Sequence, residues 1–430
     1  RSTCSWLAQD SVGESVAIWA AMSKSTVCVC GAGNASQVFI ALFASQGYRV
    51  TVLADFEDEA ERLEAALAVS GGITVTNRSD PHNIHTFTGA PVRVSKHPAD
   101  VVPQADSVVI ALPSFAQRKI LTDVRDHLRS GAVLFVMPGQ GGVDFLGKQI
   151  LGDRLLQGDV VLAGVMPMPL NCRIQKFGDT VDLASIKHSY DLAAIPAGAA
   201  PQSAAMLSTM LGKEVRPLQH FIAVHLWPAN PNIHPARLYA LFHEHVDGKV
   251  YERNPLFYEE FDDLSVEWCQ KINDERMAVW AAAVQQSGGA VGRVEDVPHL
   301  KPYIESAYFG QIHDASTLCS VFSTNDGFKG FRCPMKQVDG GWVPDFNNRY
   351  FTEDIPCTVA IYKGIAEIVG VPTPAIDQVM TFFQQFMGKE YVKEGSLCGQ
   401  DAAETMAPQS FGVRCLRDLG VSAGGPGAGA

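Results

Sequence analysis

Three features of this 430-residue chain predict an α/β fold, with an N-terminal Rossmann-type doubly wound sheet and a mainly α-helical C-terminal domain. Short, continuous apolar runs recur through the first half, with helical stretches between several of them. A glycine turn joins the first run to its helix. Beyond about residue 200 the strand-length runs give way to amphipathic helical spacing.

Thr26–Cys30 (TVCVC) reads as the first strand, and Gly31–Ser36 turns it into a helix that reaches Ser45. Tyr48–Leu53 is the second strand, followed by the charged helix Glu57–Ser70. Ser107–Leu112, Ala132–Met137 and Val160–Val165 repeat the theme. Continuous apolar runs suit strands buried on both faces of a parallel sheet. After the Pro/Ala/Gly stretch Ile195–Pro201, Ser203–Leu211 is helical and ends at Gly212, a C-cap. A longer helix carries Leu264, Trp268 and Ile272 at four-residue spacing, then Met277 and Trp280. Pro356–Val369 and Ala375–Met387 each end at a glycine, Gly370 and Gly388. The join between the halves falls near His220–Pro228. These readings divide the chain into an extension (1–24), a dinucleotide-binding domain (25–222), a helical substrate and catalytic domain (223–418) and a flexible tail (419–430).

Composition narrows the class. A hydrophobic content of 47% over this length supports two cores. No apolar run has the length of a membrane span. The formal charge, 34 minus 46 or −12, comes without a basic block, which argues against nucleic acid or an anionic membrane as partner. An anionic substrate must then be met by a few placed arginines and helix N-termini. The ten cysteines include no CxxC pair and no zinc spacing, so no metal is expected. That pattern fits free thiols in a reducing cytosol. Residues 1–21 make a poor signal peptide and a poor transit peptide. Met22-Ser23-Lys24 looks like a natural start, which makes the upstream residues an extension foreign to the fold.

Four constellations carry chemistry. In Gly31-Ala32-Gly33-Asn34-Ala35-Ser36 the glycines allow a tight turn and close approach of a pyrophosphate to a helix N-terminus. Ser36 stands where a third glycine is usual. Asp55, just past the second strand, is placed to bond a ribose 2′-hydroxyl; Asp58, or a plain N-cap role, competes. With no arginine for a 2′-phosphate, NADH is favoured over NADPH. In Asn230-Pro231-Asn232-Ile233-His234-Pro235, His234 precedes a proline that would start a helix, so its ring could project from a helix mouth. A proton donor near neutral pH suits reduction of a carbonyl or imine. A simple N-cap is the alternative. His243-Glu244-His245 cannot chelate at i, i+2 and reads as a solvated face.

The third is Val338–Pro356 (VDGGWVPDFNNRYFTEDIP), a loop with little apolar surface to bury. Arg349 offers a planar fork for a carboxylate, against an ion pair with Asp345 or Glu353. Asp354 could orient the His234 imidazole, or cap the following helix. The fourth is Met137-Pro138-Gly139-Gln140-Gly141-Gly142, at the edge of the sheet where ligands sit. Gln140 could bond an oxo acid there, or the glycines could serve only the turn.

The chain resembles the opine dehydrogenases from about Ser25 to Val413. The resemblance lies in VCVCGAGN, ADSVVIALPSFA, MPGQGG, CRIQKFG, NIHP, STNDGFKG and, most specifically, VDGGWVPDFNNRYFTEDIP. It implies a two-domain enzyme, usually monomeric, that condenses pyruvate with an amino acid and reduces the imine with NADH, balancing cytosolic redox when oxygen is short. His234 and Asp354 match the family's catalytic pair, Arg349 its substrate arginine and Gln140 a pyruvate-contacting glutamine. Asn230, Asn232 and Met166 are placed with the substrate. Gly31, Ala32, Gly33, Asn34, Ala35, Asp55 and Pro113 are placed with the cofactor.

One departure bears on the substrate. Octopine-forming members carry an acid and a threonine a few residues before the Pro and Cys-Arg-Ile matched by Pro169 and Cys172–Ile174; this chain has Met166-Pro167-Met168. Losing that carboxylate removes a partner for arginine's guanidinium, worth about 1–3 kcal/mol if desolvated. The expected amine is therefore small: alanine, glycine, β-alanine or taurine. The rivals are an arginine-using octopine-type enzyme, an amine-independent 2-oxo acid reductase and a catalytically silent NADH-binding regulator.

Overall fold

The computed structural model describes residues 25–80, 82–227 and 230–421. Among the described residues, twelve strands before residue 220 divide between two sheets. The larger holds β1 (Thr26–Cys30), β2 (Arg49–Leu53), β5 (Arg93–Ser95), β6 (Ser107–Ile110), β7 (Val133–Val136), β8 (Val161–Met166), β11 (Ser189–Ile195) and β12 (Glu214–Pro217). Its order is β5-β2-β1-β6-β7-β8-β11-β12. Pairing is parallel from β5 to β8, and β11 runs antiparallel to β8. The sheet is thus mixed at one end.

The five expected strands are all present because both faces of the sheet are covered. Val27 and Val29 pack into one core with Phe39 of α1 (Asn34–Ser45), while Cys28 and Cys30 enter the other with Ile120. All four are fully buried, so the run needs no polar alternation.

A second sheet, β4-β3-β10-β9, was not expected. It comprises β3 (Ile73–Asn77), β4 (His85–Gly89), β9 (Leu170–Lys176) and β10 (Thr180–Ile186). β3, β9 and β10 bury only alternate residues, β4 is largely exposed, and β9 pairs with β10 through register shifts. Strands of that kind leave no continuous apolar run to read.

Helices dominate after β12. The principal ones are α2 (Asn230–Phe242), α3 (Asp263–Gln286), α4 (Leu300–Ala307), α5 (Arg349–Thr352), α6 (Ala360–Val369) and α7 (Pro374–Phe386). Along α3, Trp268, Ile272 and Trp280 are buried, as their spacing predicts. Asp262 caps it, its carboxylate accepting from the Ser265 amide at 2.8 Å. Gly370 closes α6 in the left-handed region at φ 71°. A short π turn, Ile355–Val359, precedes α6 and replaces the first turn expected from Pro356.

Two expectations are corrected here. The flexible tail does not begin at 419, because Leu419 and Val421 are buried and the Leu419 carbonyl bonds His220 Nε2 at 3.0 Å. Residues 1–24 and 422–430, the extension and the rest of that tail, lie outside the described residues. The His243–His245 face is not solvated throughout: His245 is buried among Tyr251, Phe346 and Phe386. Apolar neighbours distant in sequence decide that. The described cysteines are all free, and no helix among the described residues is long and apolar enough to cross a membrane.

Candidate active site

The C-terminal ends of β7 and β8, the start of β9 and the helical part enclose a cavity of about 400 Å³. From the sheet side come Pro138, Gln140, Met166 and Met168; from the helical side come Asn230, His234, Tyr258, Arg349, Tyr350 and Asp354. The sequence-predicted residues Gln140, Met166, Asn230, His234, Arg349 and Asp354 therefore meet in one place, at the sheet edge where α/β folds bind ligands.

The Asp354 carboxylate lies 2.7 Å from His234 Nδ1, both side chains nearly excluded from water. With Nδ1–H donating to Asp354, Nε2 is left to face Tyr258, whose hydroxyl is 3.2 Å away. Burial keeps the Tyr258 phenol well above its ordinary pKa, so it is a neutral hydrogen-bonding partner and not a proton source. Tyr350 stacks on the imidazole with centroids 4.0 Å apart and planes 19° apart. The ring of His234 is thus fixed by a carboxylate at one nitrogen, a phenol at the other and an aromatic face.

Three local expectations change. His234 sits within α2, not at its mouth, because Pro231 occupies the start of the helix and Pro235 falls inside it. Asp354 makes no side-chain cap to the turn that follows; its carboxylate goes to His234 instead. Asn232 does not line the cavity: it is fully buried, donates to the Cys269 carbonyl at 3.2 Å and accepts from Arg276 at 3.2 Å. A buried arginine needs such acceptors, and that outweighs any substrate contact.

Arg349 lines the cavity and also pairs with Glu353, Nε to Oε2 at 2.9 Å. Asp345, the other suggested partner, pairs with Lys336. The second oxygen of Glu353 accepts from the Ser114 amide at 2.8 Å, just after Pro113. Glu353 thereby ties the segment that runs from Arg349 in α5 to Asp354 to the sheet domain. In MPGQGG the glycines serve the backbone: a Cβ at Gly139 would come 2.4 Å from Gly164 Cα. The Gln140 side chain still lines the cavity, and its carbonyl accepts from Gln117.

The cofactor turn fits a dinucleotide. Gly31 has φ +87°, and a Cβ there would lie 2.8 Å from Leu112. A Cβ at Gly33 would meet nothing within 4 Å, so packing does not require glycine there. No side chain caps α1, which leaves its first-turn amides suited to an anion. Ser36 is accommodated because its hydroxyl donates to the Cys30 carbonyl at 3.1 Å. The Ala32 amide donates to the Glu59 carboxylate at 3.3 Å, and Asn34 Oδ1 accepts from the Ile174 amide, so the Asn34 side chain holds β9. Ala35 follows Asn34 in the first turn of α1. Asp55 pairs with Lys119, and Asp58 pairs with Arg62 without capping its helix.

Sequence reasoning missed Tyr258, Tyr350 and Lys187 in the cavity lining. An isolated Tyr or Lys carries no signal of burial; only the neighbouring aromatics of Leu256-Phe257-Tyr258 hinted at a packed segment.

Residues 217–387 match the family model of the NAD/NADP octopine/nopaline dehydrogenase α-helical domain, and residues 27–183 match that of ketopantoate reductase PanE/ApbA. A tauropine dehydrogenase of Arabella iricolor is 34% identical over 398 residues, covering 91% of this chain and 98% of the relative. An octopine dehydrogenase of Mizuhopecten yessoensis is 33% identical over 399 residues, covering 91% and 98%. A solved octopine dehydrogenase in complex with NADH and agmatine has a TM-score of 0.81 at 30% identity, covering 92% of this chain and 98% of that one.

Proposed function

We propose that this chain, which belongs to the opine dehydrogenase family, joins pyruvate to a small acidic amine such as taurine, β-alanine, alanine or glycine. It is an NAD-dependent oxidoreductase acting on CH–NH donors. The observation that carries the choice of amine is the charge of the cavity. Arg173, Lys187 and Arg349 line it, Arg349 also pairing with Glu353 behind the wall, whereas Asp354 is the single carboxylate among the described lining residues and is already paired with His234. Two anionic substrates are matched by that balance; a guanidinium finds no free acid. Met166 and Met168, which also line the cavity, carry no charge to meet one.

Arg349 and Gln140 hold the pyruvate carboxylate. His234, protonated at Nε2, donates to the carbonyl oxygen as the amine attacks and water leaves. Asp354 keeps Nδ1–H in place and stabilises the charged ring, and Tyr350 prevents it from turning. Bound NADH supplies the hydride that reduces the imine. Glu353, bridging Ser114 and Arg349, keeps the walls of the cleft in register so that water is excluded. Asn230 lies at the rim as a further substrate contact. The dinucleotide-binding domain spans 25–222 and the catalytic domain 223–418. Gly31 to Ala35, Asp55 and Pro113 hold the cofactor. The enzyme works as a cytosolic monomer that regenerates NAD when oxygen is short.

Mass spectrometry of the product formed from pyruvate, NADH and each amine tests this reading. The secondary amine joining the two substrates is expected. Lactate as the sole product would refute it.

A further inference from the structure

Among the described residues lining the cavity, Lys187 alone has a buried polar atom with no partner in the protein. It lies between β10 and β11, where its backbone is fixed on both sides. Its amide donates to the Pro169 carbonyl at 3.1 Å, and its carbonyl accepts from the Tyr190 hydroxyl at 2.9 Å. The side chain runs inward: the residue is 5% exposed, and Nζ lies 3.4 Å from the centre of the Tyr308 ring. An aromatic face attracts a cation but satisfies none of its N–H donors along their own directions. Burying an ammonium without an acceptor is costly, and burial draws this group from 10.5 down to about 7. A packed core would relieve that cost by placing an acceptor beside it. Here the nitrogen borders a cavity, where a bound anion can do so.

The position of Lys187 indicates which anion. Its bond to Pro169 sets it directly beside Met166-Pro167-Met168, which lines the cavity without a charge. Arg349 lines the same cavity from the segment that also carries Asp354. We infer that Lys187 binds the acidic group of the amine substrate, a sulfonate or carboxylate, and so selects a short acidic amine over a cationic or neutral one. This rests on the opine dehydrogenase reading of the same cavity. Lys187 acts as a specificity residue: it takes no part in proton or hydride transfer, and its ammonium donates to the oxyanion as the amine is held near His234. Tyr308 supports the ammonium from its other side.

Steady-state kinetics of Lys187→Met and Lys187→Arg, with taurine, β-alanine, glycine, alanine and 2-aminoethanol, test this directly. Losing a charge-assisted hydrogen bond should raise the KM for the acidic amines by about 10–100-fold in Lys187→Met. The KM for pyruvate should hold, kcat should fall far less than the KM rises, and Lys187→Arg should recover part of the loss. Activity with 2-aminoethanol, which has no acid, should be insensitive. The amine whose KM moves most identifies whether a sulfonate or a carboxylate is the natural group. An unchanged amine KM in Lys187→Met, or a rise confined to pyruvate, overturns the assignment. Calorimetric titration of taurine and β-alanine into the NADH-loaded protein separates this from the parent reading. Lys187-dependent binding without NADH oxidation would sustain the anion site and refute the opine reaction. Turnover with amines and an unaltered KM in Lys187→Met would do the reverse. Absence of both binding and turnover would refute the two together.

Discussion

Asp354 and His234, 120 residues apart in the chain, meet at 2.7 Å inside the fold, and Tyr350 stacks on the imidazole. The carboxylate fixes which nitrogen carries the inner proton, so Nε2 is the one that reaches substrate. Asp354→Asn keeps the shape and loses the charge that stabilises the imidazolium. It should lower kcat by about 10²–10⁴-fold. His234→Ala should do at least as much, with NADH affinity nearly intact in both. Turnover and NADH fluorescence titration on the same preparations check this; retained turnover in His234→Ala removes His234 from the chemistry.

Gly33 has room for a methyl group in the protein alone, since a Cβ there meets nothing within 4 Å. The space is needed only if a pyrophosphate approaches the backbone. Gly33→Ala should therefore leave thermal stability unchanged while weakening NADH by roughly tenfold or more, about 1.4 kcal/mol. Equal NADH affinity in the two proteins would show that the turn is structural.

Lys187 should also register as a stability defect. The unfolded chain keeps its proton up to about 10.5, whereas the fold releases it above about 7. Between those values the unfolded state binds more protons, so this residue makes stability rise with pH across that window. Lys187→Met removes the buried cation. It should raise the unfolding midpoint by about 2–4 °C or more below the window, with the gain shrinking towards its upper end. Melting curves of both proteins at about pH 6.5 and about pH 9.5 measure the difference. A variant that gains stability and loses affinity for the amine is what a site kept for function produces.

Met166 is buried at the cavity wall and carries no charge to meet a guanidinium. Met166→Glu should shift kcat/KM for arginine relative to taurine by about tenfold or more in arginine's favour. Competition between the two amines, read as the ratio of products, measures it. An unmoved ratio would place the amine's selectivity elsewhere in the cavity.

The parts of this architecture that could be read from the chain are those whose physics is local. Thr26–Cys30 is a continuous apolar run because both of its faces are covered, and the Gly31 turn needs a positive φ. The smaller sheet was illegible for the opposite reason: β4 is largely exposed, and β9 and β10 alternate and slip in register. His234, Arg349 and Asp354 stood out because polar residues in proline- and glycine-rich segments suggest chemistry before packing. The same reasoning misplaced Asn232, since only the fold shows that Arg276 is buried beside it and needs its oxygen. Tyr258 and Lys187 were invisible. Their importance lies in what they face, and nothing in the neighbouring residues states that.

The dependence of reduction on an amine is read by following NADH oxidation with pyruvate, first alone and then with taurine, β-alanine, alanine, glycine and arginine in turn. Oxidation that is silent with pyruvate alone, appears with the short acidic amines and stays weak with arginine is the predicted result. Oxidation at full rate without any amine, or arginine matching the best short amine, would contradict it.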